Sequence, residues 1–320
     1  MDKENQTMVT FFILKGLSEF PELQSFTFLM ILLIYLITVG GNLTILLLVY
    51  IDAQLHTPMY FLLANLSLMD MCSTTVTLHK LLTSFISRDY TISFQACMAQ
   101  MFLFSSLARD EMFILTAMSY DRYVAISNPL RYPVIMSHRV CSLLAMVCWV
   151  FGFIEMIPYL VLLSTFSCYR ANIIDHFYCD MVPLMKLSCS DISVLEMLIY
   201  TDGLFFASTP FCLTFLSYIF IIITILKIQN TNGRLKAFYT CSSHLTVVII
   251  LYSTLFFLYL SPSDSLVSKK TSSLLNTAVV PFLNPIIYSL KNKDVKSALR
   301  RHLRHCKVIF LGQISKFLHL

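Results

Sequence analysis

Seven long apolar stretches alternate with short polar segments along the chain, at roughly 24–50, 58–80, 98–120, 140–163, 197–226, 238–260 and 271–290. Each approaches or exceeds the ~20 residues that a helix needs to cross the hydrocarbon core of a bilayer. A β-barrel would show alternating strands of about ten residues, and unbroken runs such as Ile219–Leu226 contradict that pattern. Three of the stretches have polar interiors. The second carries Asn65, Asp70 and His79, the third Arg109, Asp110 and Glu111, and the seventh is interrupted by Pro281, Asn284 and Pro285. The pattern predicts an all-α membrane protein. A seven-helix bundle occupies 24–290, an amino-terminal tail 1–23 precedes it, and 291–320 form a carboxyl-terminal helix and tail.

Composition supports the same class. The chain of 320 residues is 57% hydrophobic and 13% charged, whereas soluble domains average about 45–50% and about 25%. A globule with so little charge could not cover itself with polar groups. A disordered chain, a coiled coil, a collagen and a basic nucleic-acid binder are excluded as well. The formal net charge of +5 is mild; its distribution is more informative. With the amino terminus outside, fourteen Lys and Arg fall on the cytoplasmic side, among them Arg122, Arg131, Lys227 and the residues from Lys291 to Lys316. Eight fall outside (Lys3, Lys15, Lys80, Arg88, Arg170, Lys186, Lys269 and Lys270), and Arg109 stays in the membrane. Basic residues accumulate beside spans on the cytoplasmic face, so the amino terminus is outside and the carboxyl terminus inside. The polar start MDKENQTMVT lacks the apolar core and small-residue cleavage site of a secretory leader, and the first span is expected to serve as an uncleaved signal. Asn5-Gln6-Thr7 is a glycosylation acceptor on the outer side. The longest loop, about 164–196, is also outside and too short for a catalytic domain. Transporter-type repeats and a metal or nucleophile constellation are not visible, so the chain reads as no enzyme. Residues 294–303 place apolar positions at helical spacing beside a basic face, as in a short helix lying on the inner leaflet.

Five strings stand at set places relative to these spans. Gly41-Asn42 lies in span one. Leu55-His56-Thr57-Pro58-Met59-Tyr60 opens span two, with Asp70 at its middle. Met118-Ser119-Tyr120-Asp121-Arg122-Tyr123-Val124-Ala125-Ile126 closes span three. Lys236-Ala237-Phe238-Tyr239-Thr240-Cys241-Ser242-Ser243-His244-Leu245 opens span six, and Pro281-Phe282-Leu283-Asn284-Pro285-Ile286-Ile287-Tyr288-Ser289-Leu290 closes span seven. Over roughly residues 10–305 the chain resembles a vertebrate odorant receptor, a branch of the rhodopsin-like G-protein-coupled receptors. Two positions depart from the odorant pattern: Ser127 replaces the usual Cys, and Ser253 follows Tyr252 where Gly is usual. The first bears on coupling and the second on pocket shape.

The resemblance implies a small-molecule odorant as ligand, a stimulatory olfactory-type heterotrimeric G protein as partner, membrane lipid around the spans, and residence in the plasma membrane of olfactory cilia. It makes Asp121, Arg122, Tyr123, Tyr218, His244, Asn284, Pro285 and Tyr288 the coupling and switch residues, with Arg122 facing the cytoplasm. Ordinary snorkelling of an interfacial arginine is the alternative account of Arg122, and the surrounding string disfavours it. Asn42, Asp70, Glu111 and Asn284 become a candidate sodium-ion site, and no other cofactor is expected. Cys97, Cys168, Cys179 and Cys189 lie on the oxidising side, where four cysteines allow three connectivities. The resemblance favours Cys97–Cys179 and Cys168–Cys189. Cys306, after the basic inner helix, is a palmitoylation candidate. His176 near Cys179 reads as a solvated loop histidine rather than a metal ligand.

If spans three, five and six face one cavity, helical spacing selects Phe104, Ser105, Ala108 and Arg109, then Asp202, Phe205 and Phe206, then Tyr252, Leu255, Phe256 and Tyr259 as its lining. Such an apolar and aromatic set with few polar groups suits a small organic ligand. An aminergic site would need an acid on span three where Phe104 stands, and a retinal Schiff base would need a lysine inside span seven. Arg109 is the least expected residue, because a cation in mid-span is costly and requires a partner. Glu155 and Asp202 lie at comparable depth on spans four and five. Either the three form an internally paired cluster that admits uncharged odorants, or a ligand carboxylate or amino-acid head competes for it.

Overall fold

The structure, a computed structural model, describes residues 9–17, 21–166, 168–260 and 266–304; for 21–23, 236, 240, 257–260, 266–269, 290 and 291 it describes the backbone alone. Asn5 and Cys306 lie outside the described residues, and so does the side chain of Tyr259. Spans one to four are the helices Pro21–Ile51, Pro58–Ser87, Phe94–Ser127 and His138–Thr165. Span five runs from Ser193 to Asp202, passes through a π-helical turn at Gly203–Ala207 and continues from Ser208 to Lys227. Span six is Thr231–Leu260. Span seven runs Leu266–Leu274, a second π-helical turn at Leu275–Val279, then Val280–Lys291. A helix over 293–304 follows, turned 77° from span seven.

The helices outrun their apolar cores because polar residues cap them. Pro58 occupies the first turn of span two, where a missing N–H costs nothing. The Ser93 hydroxyl accepts the Ala96 amide at the start of span three. Span three carries Arg109, Asp110 and Glu111 in succession and is therefore not apolar enough to cross on composition. Its neighbours supply the missing surface, since it packs along spans two, four and five. Large apolar side chains turned outward, such as Leu33, Leu47, Met146, Ile154 and Phe215, are each more than half exposed. That arrangement places lipid where a soluble protein has water.

Two glycines permit close helix contacts. A Cβ at Gly41 would lie 2.9 Å from Pro285 Cβ, so the Gly41-Asn42 string lets the proline-bearing turn of span seven approach span one. A Cβ at Gly152 would collide with Asp110 Oδ1 and lie 2.9 Å from the Ser106 carbonyl. Gly152 is thus the hollow in span four that receives the buried Asp110 carboxyl of span three.

At one end of the bundle a three-stranded sheet in the order β2-β1-β3 joins β1 (Phe11–Leu14), β2 (Thr91–Ser93) and β3 (Ile173–Ile174). β1 pairs antiparallel with β2 through Phe12↔Ile92 and parallel with β3 through Ile13↔Ile173. At the other end Tyr60 Oη lies 3.0 Å from Asn292 Oδ1 and 2.9 Å from Asp294 Oδ2. Arg301 Nη2 donates to Asp52 Oδ2 at 2.7 Å. The 293–304 helix buries Val295 and Ala298 and exposes Leu303.

The Gly152 contact makes a direct prediction. Gly152→Val should fail to reach the cell surface, since overpacking costs about 1–3 kcal/mol or more. Gly152→Ala should lower surface immunostaining several-fold, and adding Asp110→Ala should restore part of it. Wild-type staining of Gly152→Val would refute the contact.

Candidate functional site

At the inner end of span three, Asp121 is fully buried and holds Arg122, with Nε at 2.9 Å and Nη2 at 2.5 Å from Oδ2. The Tyr132 hydroxyl donates to the other oxygen at 2.8 Å. Arg122 is only 12% exposed. The guanidinium is therefore folded back on its neighbour and does not face the cytoplasm, as expected when a buried carboxylate offers a better partner than water. Sequence reasoning missed Tyr132, because its role depends on the short helix Tyr132–Ile135 returning to span three. Tyr218 Oη and His244 Nδ1 are 2.6 Å apart, both buried, and join span five to span six. Tyr123 packs on Phe220 of span five. Ser127 meets Thr224 Oγ1 at 3.3 Å.

Halfway along the bundle, Asn284 Nδ2 donates to Asp70 Oδ1 and Oδ2 at 3.1 and 2.9 Å. Asn42 Nδ2 donates to the Thr38 carbonyl at 3.0 Å and the Pro281 carbonyl at 3.4 Å. Pro285 cannot donate to its own helix, and the polar residues of spans one and two secure that stretch. Glu111 is buried beside them, and Tyr288 is 1% exposed. Asn42 Oδ1 and Glu111 Oε1 are buried and accept no hydrogen bond from any described residue. The four candidate residues therefore lie together, with acceptor oxygens to spare. A further tie is Trp149 Nε1 to Asn65 Oδ1 at 3.1 Å, which joins spans four and two.

Higher in span three, Arg109 Nη2 reaches Asp202 Oδ2 at 2.5 Å, and Nε lies 3.6 Å from Glu155 Oε1. The guanidinium also sits 5.6 Å from the centre of the Tyr159 ring, within cation–π range. The Tyr159 hydroxyl donates to the Leu198 carbonyl at 2.9 Å. Spans three, four and five are thereby joined at one depth. Thr116 Oγ1 adds a second tie between spans three and five, 3.1 Å from Thr214 Oγ1.

Residues 31–306 match the profile of the olfactory receptor family. The chain belongs to the olfactory receptor family. It is 45% identical to olfactory receptor 6C3 of Homo sapiens over 96% of this chain and 98% of that protein. It is 46% identical to olfactory receptor 6C1 of Homo sapiens over 92% and 95%, and 45% identical to olfactory receptor 5G9 of Mus musculus over 96% and 99%. Squid rhodopsin superposes with a TM-score of 0.73 at 16% identity, covering 89% of this chain and 82% of that one. The fold is the seven-helix receptor bundle. The protein is a multi-pass membrane receptor of this family, not an enzyme.

The olfactory receptor does not bring the whole expected lining set together. Phe104 faces the outer loop, edge-on to Tyr178 at 5.1 Å. Ser105 gives its carbonyl to Arg109 Nη1 at 3.3 Å, and Ala108 is half-buried beside it. Phe205 and Phe206 are 60% and 42% exposed, and Phe256 is 60% exposed. These three point out of the bundle, and Phe206 rests on Phe151 of span four. For Phe205 and Phe206 the reason is the π-helical turn directly after Asp202. Each extra residue in a helix rotates the downstream segment by about 100°, so α-helical spacing from Asp202 selects the wrong face. The next buried residues in span five are Pro210, Thr214 and Tyr218. In span six, Tyr252 contacts Phe211 at 5.1 Å and Leu255 joins the core, whereas Ser253 is exposed and shapes no interior surface.

The outer face is tied by Cys97–Cys179 and Cys168–Cys189. Gln100 of span three accepts the Cys179 amide at 2.9 Å and donates to the Val76 carbonyl at 2.8 Å. Lys270 Nζ reaches Asp175 Oδ1 at 2.5 Å and holds that carboxyl below its usual range. His176 is not the solvated histidine that its loop position suggests. It is 4% exposed and packed between Phe177 and Tyr178. Among the described residues no cluster of three metal-ligating side chains occurs. Burial, aided by Lys270, pushes His176 down from 6.5 to about 4. The unfolded chain then binds a proton that the folded loop refuses, so this contribution is absent above pH 6.5 and destabilises progressively as pH falls toward 4. Replacing His176 with Phe should flatten that part of the receptor's thermal-stability profile, by ~3 kcal/mol at most. An unchanged acid slope in the variant would contradict this assignment.

Proposed function

We propose that this receptor binds a small organic odorant in the outer half of the bundle, with span three at the centre of the site. It then activates a stimulatory olfactory-type heterotrimeric G protein, which raises cyclic AMP. The observation that carries the reading is the closed inner end. Arg122 is engaged by Asp121 and Tyr132, and the Tyr218–His244 pair joins spans five and six beside it. A ligand that favours an arrangement with these contacts open releases a permanent cation toward the cytoplasmic side, where the G protein would engage it. The ligand acts by biasing two populations of the bundle. The amino-terminal tail with Asn5 glycosylated is outside, and 291–320 with Cys306 are cytoplasmic. The setting is the plasma membrane of olfactory cilia, with lipid against the spans and no nucleic acid involved.

Cells expressing the full chain should raise cyclic AMP to members of an odorant panel only when the stimulatory olfactory-type G protein is co-expressed. Arg122→Ala should lower the maximal response about tenfold or more at equal surface staining. Solute flux in place of a G-protein-dependent signal would refute the receptor reading.

The same reading places a sodium ion among Asn42, Asp70, Glu111 and Asn284. The residues fit, because hard cations take oxygen ligands, and Asn42 Oδ1 and Glu111 Oε1 are buried acceptors without donors. The ion would supply positive charge to Asp70 and hold spans two and seven in the closed arrangement. Purified receptor should unfold at a higher temperature in sodium chloride than in choline chloride. Asp70→Asn should abolish that difference, and a difference that survives in the variant would exclude the site.

A further inference from the structure

One guanidinium serves two carboxylates between spans three, four and five. Asp202 has the short contact at 2.5 Å, and Glu155 stands off at 3.6 Å, beyond hydrogen-bond length. The Glu155 side chain is 7% exposed, and neither of its oxygens accepts a hydrogen bond from any described residue. Arg109 and Asp202 remain 18% and 17% exposed. Asp110, the next acid on span three, is turned into the hollow at Gly152. The cluster therefore holds two acids to one base, and Glu155 is the carboxyl left without a donor at hydrogen-bond distance.

We infer that the second cation belongs to the ligand and that this receptor recognises a protonated primary amine. The ammonium pairs with Asp202, the more exposed carboxylate. Arg109 then passes to Glu155, closing the 3.6 Å gap to a charge-assisted hydrogen bond of about 2.8 Å. With the amine bound, two cations face two carboxylates. The guanidinium can make this short move while remaining over the Tyr159 ring, which is fixed to span five through the Leu198 carbonyl. Phe104 leaves span three without the acid of an aminergic site, and here the acids come from spans four and five. A ligand carboxylate would bring a third anion to a single arginine and is rejected. Asp202 is the last residue before the π-helical turn Gly203–Ala207, so ligand pairing pulls on span five where its hydrogen-bond ladder is least regular.

This assignment rests on the reading of the chain as a receptor for a small organic ligand. Its test is thermal unfolding of the purified, full-length receptor at neutral pH with hexylammonium, hexanol or hexanoate. Hexylammonium should stabilise at a concentration about tenfold lower than hexanol, and hexanoate should not stabilise. Glu155→Gln should remove the amine advantage and leave the hexanol midpoint unchanged within about twofold, which shows that the variant is folded; Asp202→Asn should also remove the amine advantage. Hexanoate equal to or better than the amine, no preference among the three, or a preference that survives in both variants would each overturn the assignment. If hexanol still evokes G-protein-dependent cyclic AMP under any of those outcomes, only the amine assignment falls. If the whole panel evokes G-protein-independent solute flux, the receptor reading falls instead.

Discussion

A polar or charged side chain in hydrocarbon has no water to fall back on, so its partner must come from the protein, and where its own helix does not suffice, from another helix. That constraint organises this receptor. Asp70 accepts from Asn284, and spans two and seven are joined. Arg109 reaches Asp202, and spans three and five are joined. Asn65 accepts from Trp149, linking spans two and four. Packing among aliphatic side chains in lipid is weakly directional, because the tails are as apolar as leucine. The few polar pairs therefore decide which helix stands beside which, and at what rotation.

The same pairs can store two states. Asp121 is fully buried and gives its oxygens to Arg122 and Tyr132. Arg122 cannot leave without stranding the buried Asp121 carboxylate on the Tyr132 hydroxyl alone, so the ion pair is either made or broken. Tyr218 and His244 form a comparable joint between spans five and six. A bundle tied by discrete polar joints changes by exchanging partners, and this gives a switch rather than a gradual deformation.

The spans were legible because period and length suffice when lipid is the solvent. The polar interior of the third span did not hide it, since its length and its place between two apolar neighbours still marked a helix of the bundle. The gathering of Asn42, Asp70, Glu111 and Asn284 was also legible, because equal depth on neighbouring helices leaves little freedom. The outward direction of Phe205 and Phe206 was not. It depends on a π-helical turn, and Gly203–Ala207 contains no proline or polar run to announce one. The burial of His176 was equally hidden, since it is created by the ring neighbours Phe177 and Tyr178 and by a loop closed through Cys179. Gly152 carried a signal that can be read in retrospect. A glycine within an apolar helix leaves a hollow, and a buried acid on the adjoining span is the group to fill it.

The outer sheet places the amino-terminal strand between two loops that are made much later. β1 can pair with β2 only after span two has been made, and its parallel partner β3 lies beyond the fourth span. Chains emerge from the ribosome amino terminus first, so Phe11–Leu14 must wait outside the membrane while four helices are threaded. Its docking is a closing step, and it reports that the first half of the bundle has inserted in the correct register. A receptor stalled in assembly therefore displays an unpaired strand containing Phe11 and Phe12, an apolar edge that invites pairing with another chain.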